Sequence, residues 1–140
     1  MSDVLFIAQA KAVGGRNGHV TSNNGVLDHK LLMPKGNESD SEGTNPEQLF
    51  AAGYAACFDG ALNLVASNQK KEIDSEINVE VSLLKDREDN GYKIGVALYA
   101  SIKGVTQSEA EKLVNQAHQV CPYSKATRGN IDVQLHVTGE

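Results

Sequence analysis

The sequence predicts an α+β fold of mainly antiparallel sheets around one long buried central helix. Three observations carry this prediction. Glu76 to Lys85 alternates apolar and polar residues, with Ile77, Val79, Val81 and Leu83 on one face, and a charged turn ending in Asn90-Gly91 joins it to Tyr92–Ile102. Such alternation beside Asn-Gly is the mark of an antiparallel hairpin. Thr44-Asn45-Pro46-Glu47 opens a run crowded with Ala and Gly and extending to about Asn68, and the order strands, helix, hairpin, helix, strand reads as α+β.

Val4 to Val13 reads as the first strand, from its β-favouring start and loose alternation. Gly14-Gly15-Arg16-Asn17-Gly18 is a turn, because three glycines in five residues admit positive φ and close backbone approach. Val26 to Met33 is a second strand, and the polar stretch Pro34 to Gly43 an exposed loop. The long helix starts either with Asn45 as N-cap and Pro46 at its first position, or with a Thr44–Glu47 capping box. Leu49 to Ala61 is apolar all round, which predicts burial on most sides. Thr106-Gln107-Ser108-Glu109 is another capping box, opening a helix with Ala110, Leu113, Val114, Ala117 and Val120 on one face. Pro122 stops that helix just after Cys121, and Ile131 to Val137 alternates as the last strand. No repeat or linker divides the 140 residues, so a single domain over 1–140 is expected, long enough for a real core.

Composition narrows the function. A net charge of −5 argues against nucleic acid and anionic membranes as partners, since both select basic patches. No stretch is read as a membrane span, and Met1-Ser2-Asp3-Val4 lacks the basic and apolar segments of a signal peptide. A cytoplasmic protein is expected, where a standing disulfide is uncommon and a cysteine pair is catalytic, metal-binding or simply buried.

The two cysteines, Cys57 and Cys121, lie in the least ordinary stretches of the chain. Each can be a small buried hydrophobe or a reactive thiol. There is no Cys-x-x-Cys, and two cysteines with scattered His19, His29, His118 and His136 make no metal-ligand spacing. Six residues separate Cys121 from Arg128 where a cysteine-phosphatase loop needs five. His118, three residues before Cys121, is either a nucleophile's partner or a polar-face histidine.

Burial among alanines raises the pKa of Cys57, and the helix dipole fades within the first turn, about three turns before it. A reactive Cys57 therefore needs a cation from elsewhere. Of the three arginines, Arg87 sits in a charged turn and Arg128 follows Cys121, while Arg16 occupies the glycine-rich turn. Arg16 is either a surface residue or a guanidinium with a target, able to hold a thiolate and the oxygens of a substrate. Glu47 either caps its helix or orients that arginine. Ten residues separate Glu47 from Cys57, about 15 Å along one helix. If both serve one site, the helix is interrupted or Glu47 comes from a second subunit.

Two long motifs, Gly43-Thr44-Asn45-Pro46-Glu47-Gln48-Leu49-Phe50-Ala51-Ala52-Gly53-Tyr54-Ala55-Ala56-Cys57-Phe58 and Val120-Cys121-Pro122-Tyr123-Ser124-Lys125-Ala126-Thr127-Arg128-Gly129-Asn130-Ile131-Asp132-Val133, closely resemble the signatures of the organic hydroperoxide resistance proteins. These form a branch of the osmotically inducible protein C superfamily. The turn around Arg16 and Val26-Leu27-Asp28 also fit, so the resemblance spans essentially the whole chain. Asp59 is more polar than the pattern suggests. The resemblance implies an intertwined homodimer and a thiol peroxidase. In it Cys57 is the peroxidatic cysteine and Cys121 the resolving one, Arg16 stabilises the thiolate and orients the peroxide, and Glu47 holds Arg16. It implies alkyl and fatty-acid hydroperoxides as substrates, an external dithiol, lipoyl groups on proteins, as reductant, and no metal, haem or flavin cofactor. Two other readings compete: a stoichiometric thiol redox sensor or binding module, and a structural dimer with inert cysteines.

Overall fold

A computed structural model describes residues 2–35 and 42–140 of the chain, which form two compact units, 1–49 and 50–140. In the first unit β1 (Ala10–Val13), β2 (His19–Ser22) and β3 (Asp28–Lys30) make an antiparallel sheet in the order β1-β2-β3. The β1–β2 connection is a single 3-10 turn, Gly15–Asn17, carrying Arg16. Gly18 closes the turn where no side chain fits, since a Cβ there would sit 1.8 Å from the Val13 carbonyl oxygen. Asn17 Oδ1 accepts from the Met33 amide and ties the turn to the chain beyond β3.

The expected strand Val4–Val13 is paired only over its last four residues, and Val4, Leu5, Phe6 and Ile7 are exposed. A strand persists only where a neighbour takes its backbone hydrogen bonds, and among the described residues the sheet partner β2 reaches only as far as Ala10. The expected strand Val26–Met33 shortens to β3 for the same reason, its ladder covering Asp28 to Lys30. Most of the expected loop Pro34–Gly43, namely 36–41, lies outside the described residues.

The long helix α1 (Pro46–Asn68) is continuous. Its start follows the Asn45 alternative: Asn45 Oδ1 accepts from the Gln48 amide at 2.7 Å and Pro46 takes the first helical position. The backbone of Thr44 bonds to Lys30 and Leu32, so the head of α1 is fastened beside β3.

In the second unit β4 (Asp74–Asp86) and β5 (Gly91–Lys103) form the expected hairpin. Asn90 takes the left-handed conformation, φ 62°, and Gly91 already pairs with Asp86, so the loop holds the four residues Arg87 to Asn90. Helix α2 (Gln107–Val120) starts at the predicted box, with Thr106 and Glu109 capping each other reciprocally. A short helix α3 (Pro122–Thr127) follows, then β6 (Val133–Gly139). The second sheet has the order β4-β5-β6 and is mixed: β4–β5 is antiparallel and β5–β6 parallel. The α2–α3 crossover is what permits the parallel pair.

The core of this unit joins Tyr54, Phe58, Leu62 and Ala66 of α1 to Leu98 and Ile102 of β5 and to Leu113, Val114 and Ala117 of α2. Burial of α1 on most sides is not found within one chain. One stripe is buried, while Ala52, Ala56, Gly60 and Leu64 are exposed, because no described element covers that face. By length and apolar composition α1 is sufficient to cross a membrane, contrary to the expectation that no stretch approaches a span. Glu47 and Asp59 are its only charged residues. Its buried stripe belongs to the core just described, where long apolar helices of globular domains sit.

Candidate active site

The two cysteines meet. Cys57 lies on the half-buried flank of α1, and Cys121 is fully buried at the joint between α2 and α3. Both thiols are reduced, and the Cys121 thiol donates toward Cys57 Sγ across 3.6 Å. A disulfide needs about 2.05 Å between sulfurs, so a movement of about 1.5 Å closes the pair.

The joint follows from local sequence. Cys121 is extended, φ −62° and ψ 123°, and serves at once as C-cap of α2 and N-cap of α3. Its amide bonds the Ala117 carbonyl, and its own carbonyl accepts from Lys125. Pro122 ends α2 as expected, yet it also begins α3, since proline is well suited to a first helical position, where its missing N–H has no partner to lose. Reading Pro122 only as a stop conceals α3, and with it a functional group. Against the burial that raises the Cys57 pKa, the Tyr123 amide, second in α3, acts to lower it.

Burial is nevertheless the larger influence and pushes the Cys57 thiol up, with the neighbouring Cys121 adding to the rise. The sequence anticipates the burial and misses the amide. The nearest sequence signal for it is Pro122 itself, a good helix start just past the end of an amphipathic pattern.

Arg16 and Glu47 are brought together in the first unit. Arg16 Nη1 donates to Glu47 Oε1 at 2.7 Å and Nη2 to Oε2 at 2.8 Å, a two-pronged pair that fixes the plane of the guanidinium. The arginine side chain keeps 40% of its surface exposed and the glutamate 16%, so the guanidinium still has an open side. The hydrogen bond to Glu47 raises the Arg16 pKa, and that to Arg16 holds Glu47 below the usual carboxylate range.

His118 is neither a partner of the cysteine nor a solvent-facing side chain. Its Nδ1 meets Ser124 Oγ at 2.8 Å, and the same Oγ lies 2.8 Å from Tyr54 Oη. Burial first, then the charge of Arg128, lowers the His118 pKa. Arg128 itself donates to the His118 carbonyl. Asp59, the polar departure beside Cys57, is absorbed locally, accepting from Ser75 Oγ and Asn63 Nδ2. No group of three or more His, Cys, Asp and Glu able to hold a metal occurs among the described residues.

Cys57 on α1 and Cys121 at the α2–α3 joint make a thiol pair close enough to form a disulfide after a small movement, in an α+β chain. The sequence profile of the OsmC-like proteins matches residues 37–136. Organic hydroperoxide resistance protein OhrB of Bacillus subtilis is 58% identical over 133 residues, covering 95% of this chain and 98% of that protein. OhrA of the same organism is 55% identical over 139 residues, covering 98% and 99%. The crystal structure of Bacillus subtilis OhrB superposes with a TM-score of 0.91, covering 96% of this chain and all of that one. The chain belongs to the OsmC-like family, in its organic hydroperoxide resistance branch.

Proposed function

We propose that this protein is a thiol peroxidase that reduces organic hydroperoxides and so confers resistance to them, as the names of its relatives suggest. The observation that carries the reading is the 3.6 Å approach of Cys57 and Cys121, two residues 64 apart in sequence. A mostly apolar cavity of about 430 Å³, lined by Phe50, Ile94, Pro122, Tyr123, Ala126 and Ile131 together with the polar Thr127 and Asn130, supports an organic substrate over hydrogen peroxide. It shares Tyr123 with the thiol pair.

The chemistry runs in three steps. The Cys57 thiolate attacks one peroxide oxygen, the O–O bond breaks, and the alkoxide leaves and takes a proton as the alcohol. Cys57 is thereby oxidised by two electrons to a sulfenic acid. Cys121 sulfur then attacks Cys57 sulfur, an S–S bond forms and water leaves. A dithiol, in this reading a lipoyl group on a protein, attacks the disulfide, passes through a mixed disulfide and closes on itself, returning two thiols.

Arg16 supplies the cation that a burial-raised Cys57 needs, and Glu47 orients it. Glu47 and Cys57 are ten residues apart on one continuous helix, about 15 Å along it, which supports a site built from two chains. The reading is therefore a homodimer in which Arg16 and Glu47 of one chain serve the cysteines of the other. The exposed small-residue stripe of α1 and the exposed N-terminal Val4–Ile7 support an intertwined partner. No resident cofactor enters this scheme, which runs in the cytoplasm, where dithiols are kept reduced.

The test is consumption of tert-butyl hydroperoxide with dihydrolipoamide as reductant. Cys57→Ser should abolish turnover with the fold intact. Cys121→Ser should complete one turnover and then stall or over-oxidise. Full turnover by Cys57→Ser contradicts the assignment. A wild-type protein that reacts once per chain despite excess dithiol is a sensor instead.

A further inference from the structure

Ser124 is fully buried, three residues after Cys121 on a helix of six residues. So short a helix does not hold itself in place, and its first residue, a proline, donates nothing. What secures it is side-chain bonding to two other helices. Ser124 Oγ is 2.8 Å from Tyr54 Oη on α1 and 2.8 Å from His118 Nδ1 on α2. Thr127 completes the set, its hydroxyl donating to the Ser124 carbonyl at 3.1 Å and lying 3.5 Å from Tyr54 Oη.

The donor pattern is self-consistent. A neutral His118 accepts at Nδ1, Ser124 donates to it, and Tyr54 donates to Ser124, which uses each hydroxyl proton once. Arg128 also reaches back to the His118 carbonyl and clamps the end of α3 onto α2. Tyr54 and Cys57 are three residues apart on α1, so the bond from Ser124 anchors α3 within one turn of the attacking thiol.

We infer that Ser124 is a positioning residue, whose hydroxyl, held between Tyr54 and His118, fixes Cys121 and the Tyr123 amide against Cys57. The inference rests on the dithiol reading above and adds to it the element that sets sulfur-to-sulfur distance. A buried hydroxyl that merely satisfied its neighbours would affect stability alone. A positioning one also sets the rate at which the 3.6 Å gap closes and the ease with which Cys57 ionises, because both the resolving sulfur and the amide ride on α3.

The experiment compares wild type with Ser124→Ala and Tyr54→Phe, each checked for native circular dichroism. One readout is the pH profile of Cys57 alkylation by iodoacetamide, located by mass mapping. The other is the rate at which diamide, a disulfide-forming oxidant, closes the Cys57–Cys121 bond. Both variants should alkylate more slowly at neutral pH, with profiles shifted upward, and close the disulfide about tenfold more slowly, since a displacement of about 1 Å is enough for such losses. If Ser124→Ala fails to fold, Tyr54→Phe, which keeps the ring and loses one hydroxyl, decides. Folded variants whose two rates stay within about twofold of wild type overturn the inference. Neither readout uses a hydroperoxide, so both rates test Ser124 even in a protein without peroxidase turnover.

Discussion

Gly53→Ala pits helix propensity against packing at the thiol site. Gly53 is one turn before Cys57, and a Cβ built there would stand 2.4 Å from Tyr123 Oη and 3.0 Å from Cζ. That is about 1 Å short of ordinary van der Waals separation. The Tyr123 ring has little freedom to retreat, being held against Phe50 at 5.7 Å and Tyr54 at 5.6 Å between centroids. Alanine gains about 1 kcal/mol over glycine inside a helix, and overpacking costs about 1–3 kcal/mol, so the variant should be less stable by about 1 kcal/mol. The more telling effect is on reactivity. Tyr123 displaced by about 1 Å draws its amide from Cys57 and removes the influence that lowers that thiol's pKa. Urea unfolding gives the stability and iodoacetamide alkylation the reactivity, which should fall several-fold at neutral pH. Tyr123→Phe removes the nearest clashing atom, so in a double-mutant cycle it should restore about 1 kcal/mol to Gly53→Ala. A Gly53→Ala protein that keeps the full propensity gain and wild-type Cys57 reactivity refutes the claim that Tyr123 is wedged and positions the thiol.

Two further predictions concern charge. Glu47→Gln should lower stability at neutral pH by about 1 kcal/mol, the upper end for a partly exposed pair, and slow Cys57-dependent turnover. Because Arg16 lowers the Glu47 pKa, the pair's contribution is present above the ordinary value of 4.5 and is lost as pH falls through the folded value. Urea midpoints should therefore drop more steeply below pH 4.5 for wild type than for the variant, and parallel curves refute the pairing. The His118 pKa is lowered on folding, so the unfolded chain binds the extra proton first. Stability should fall as pH drops below the ordinary 6.5, and His118→Gln should lose that slope, while an unchanged slope assigns it to another group.

The parts of the fold legible in the sequence are those fixed by neighbouring residues. Asn45-Pro46, the Thr106–Glu109 box and the alternation of Glu76–Lys85 are local patterns, and the corresponding elements begin within a residue or two of where they point. Strands that depend on a distant partner are not legible in the same way. Residues Val4–Ile7 have strand propensity but no described partner within the chain, and His19–Ser22 becomes β2 only because β1 and β3 flank it. The parallel β5–β6 pairing has no local signal either, since it depends on where the α2–α3 crossover returns the chain. At the site, the thiols, Arg16 and Glu47 stand out as residue types in unusual settings. The Tyr54–Ser124–His118 contacts do not, because they join residues up to 70 apart whose hydroxyls look like ordinary helix polarity.

The most direct test of the central claim is the stoichiometry of tert-butyl hydroperoxide consumed by the wild-type protein in excess dihydrolipoamide, with the quenched protein analysed by mass spectrometry. The paired-thiol account predicts many turnovers per chain, one alcohol per peroxide, and a Cys57–Cys121 disulfide when the dithiol is withheld. Consumption that stops at one equivalent with the dithiol present, or turnover with no such disulfide formed, contradicts it.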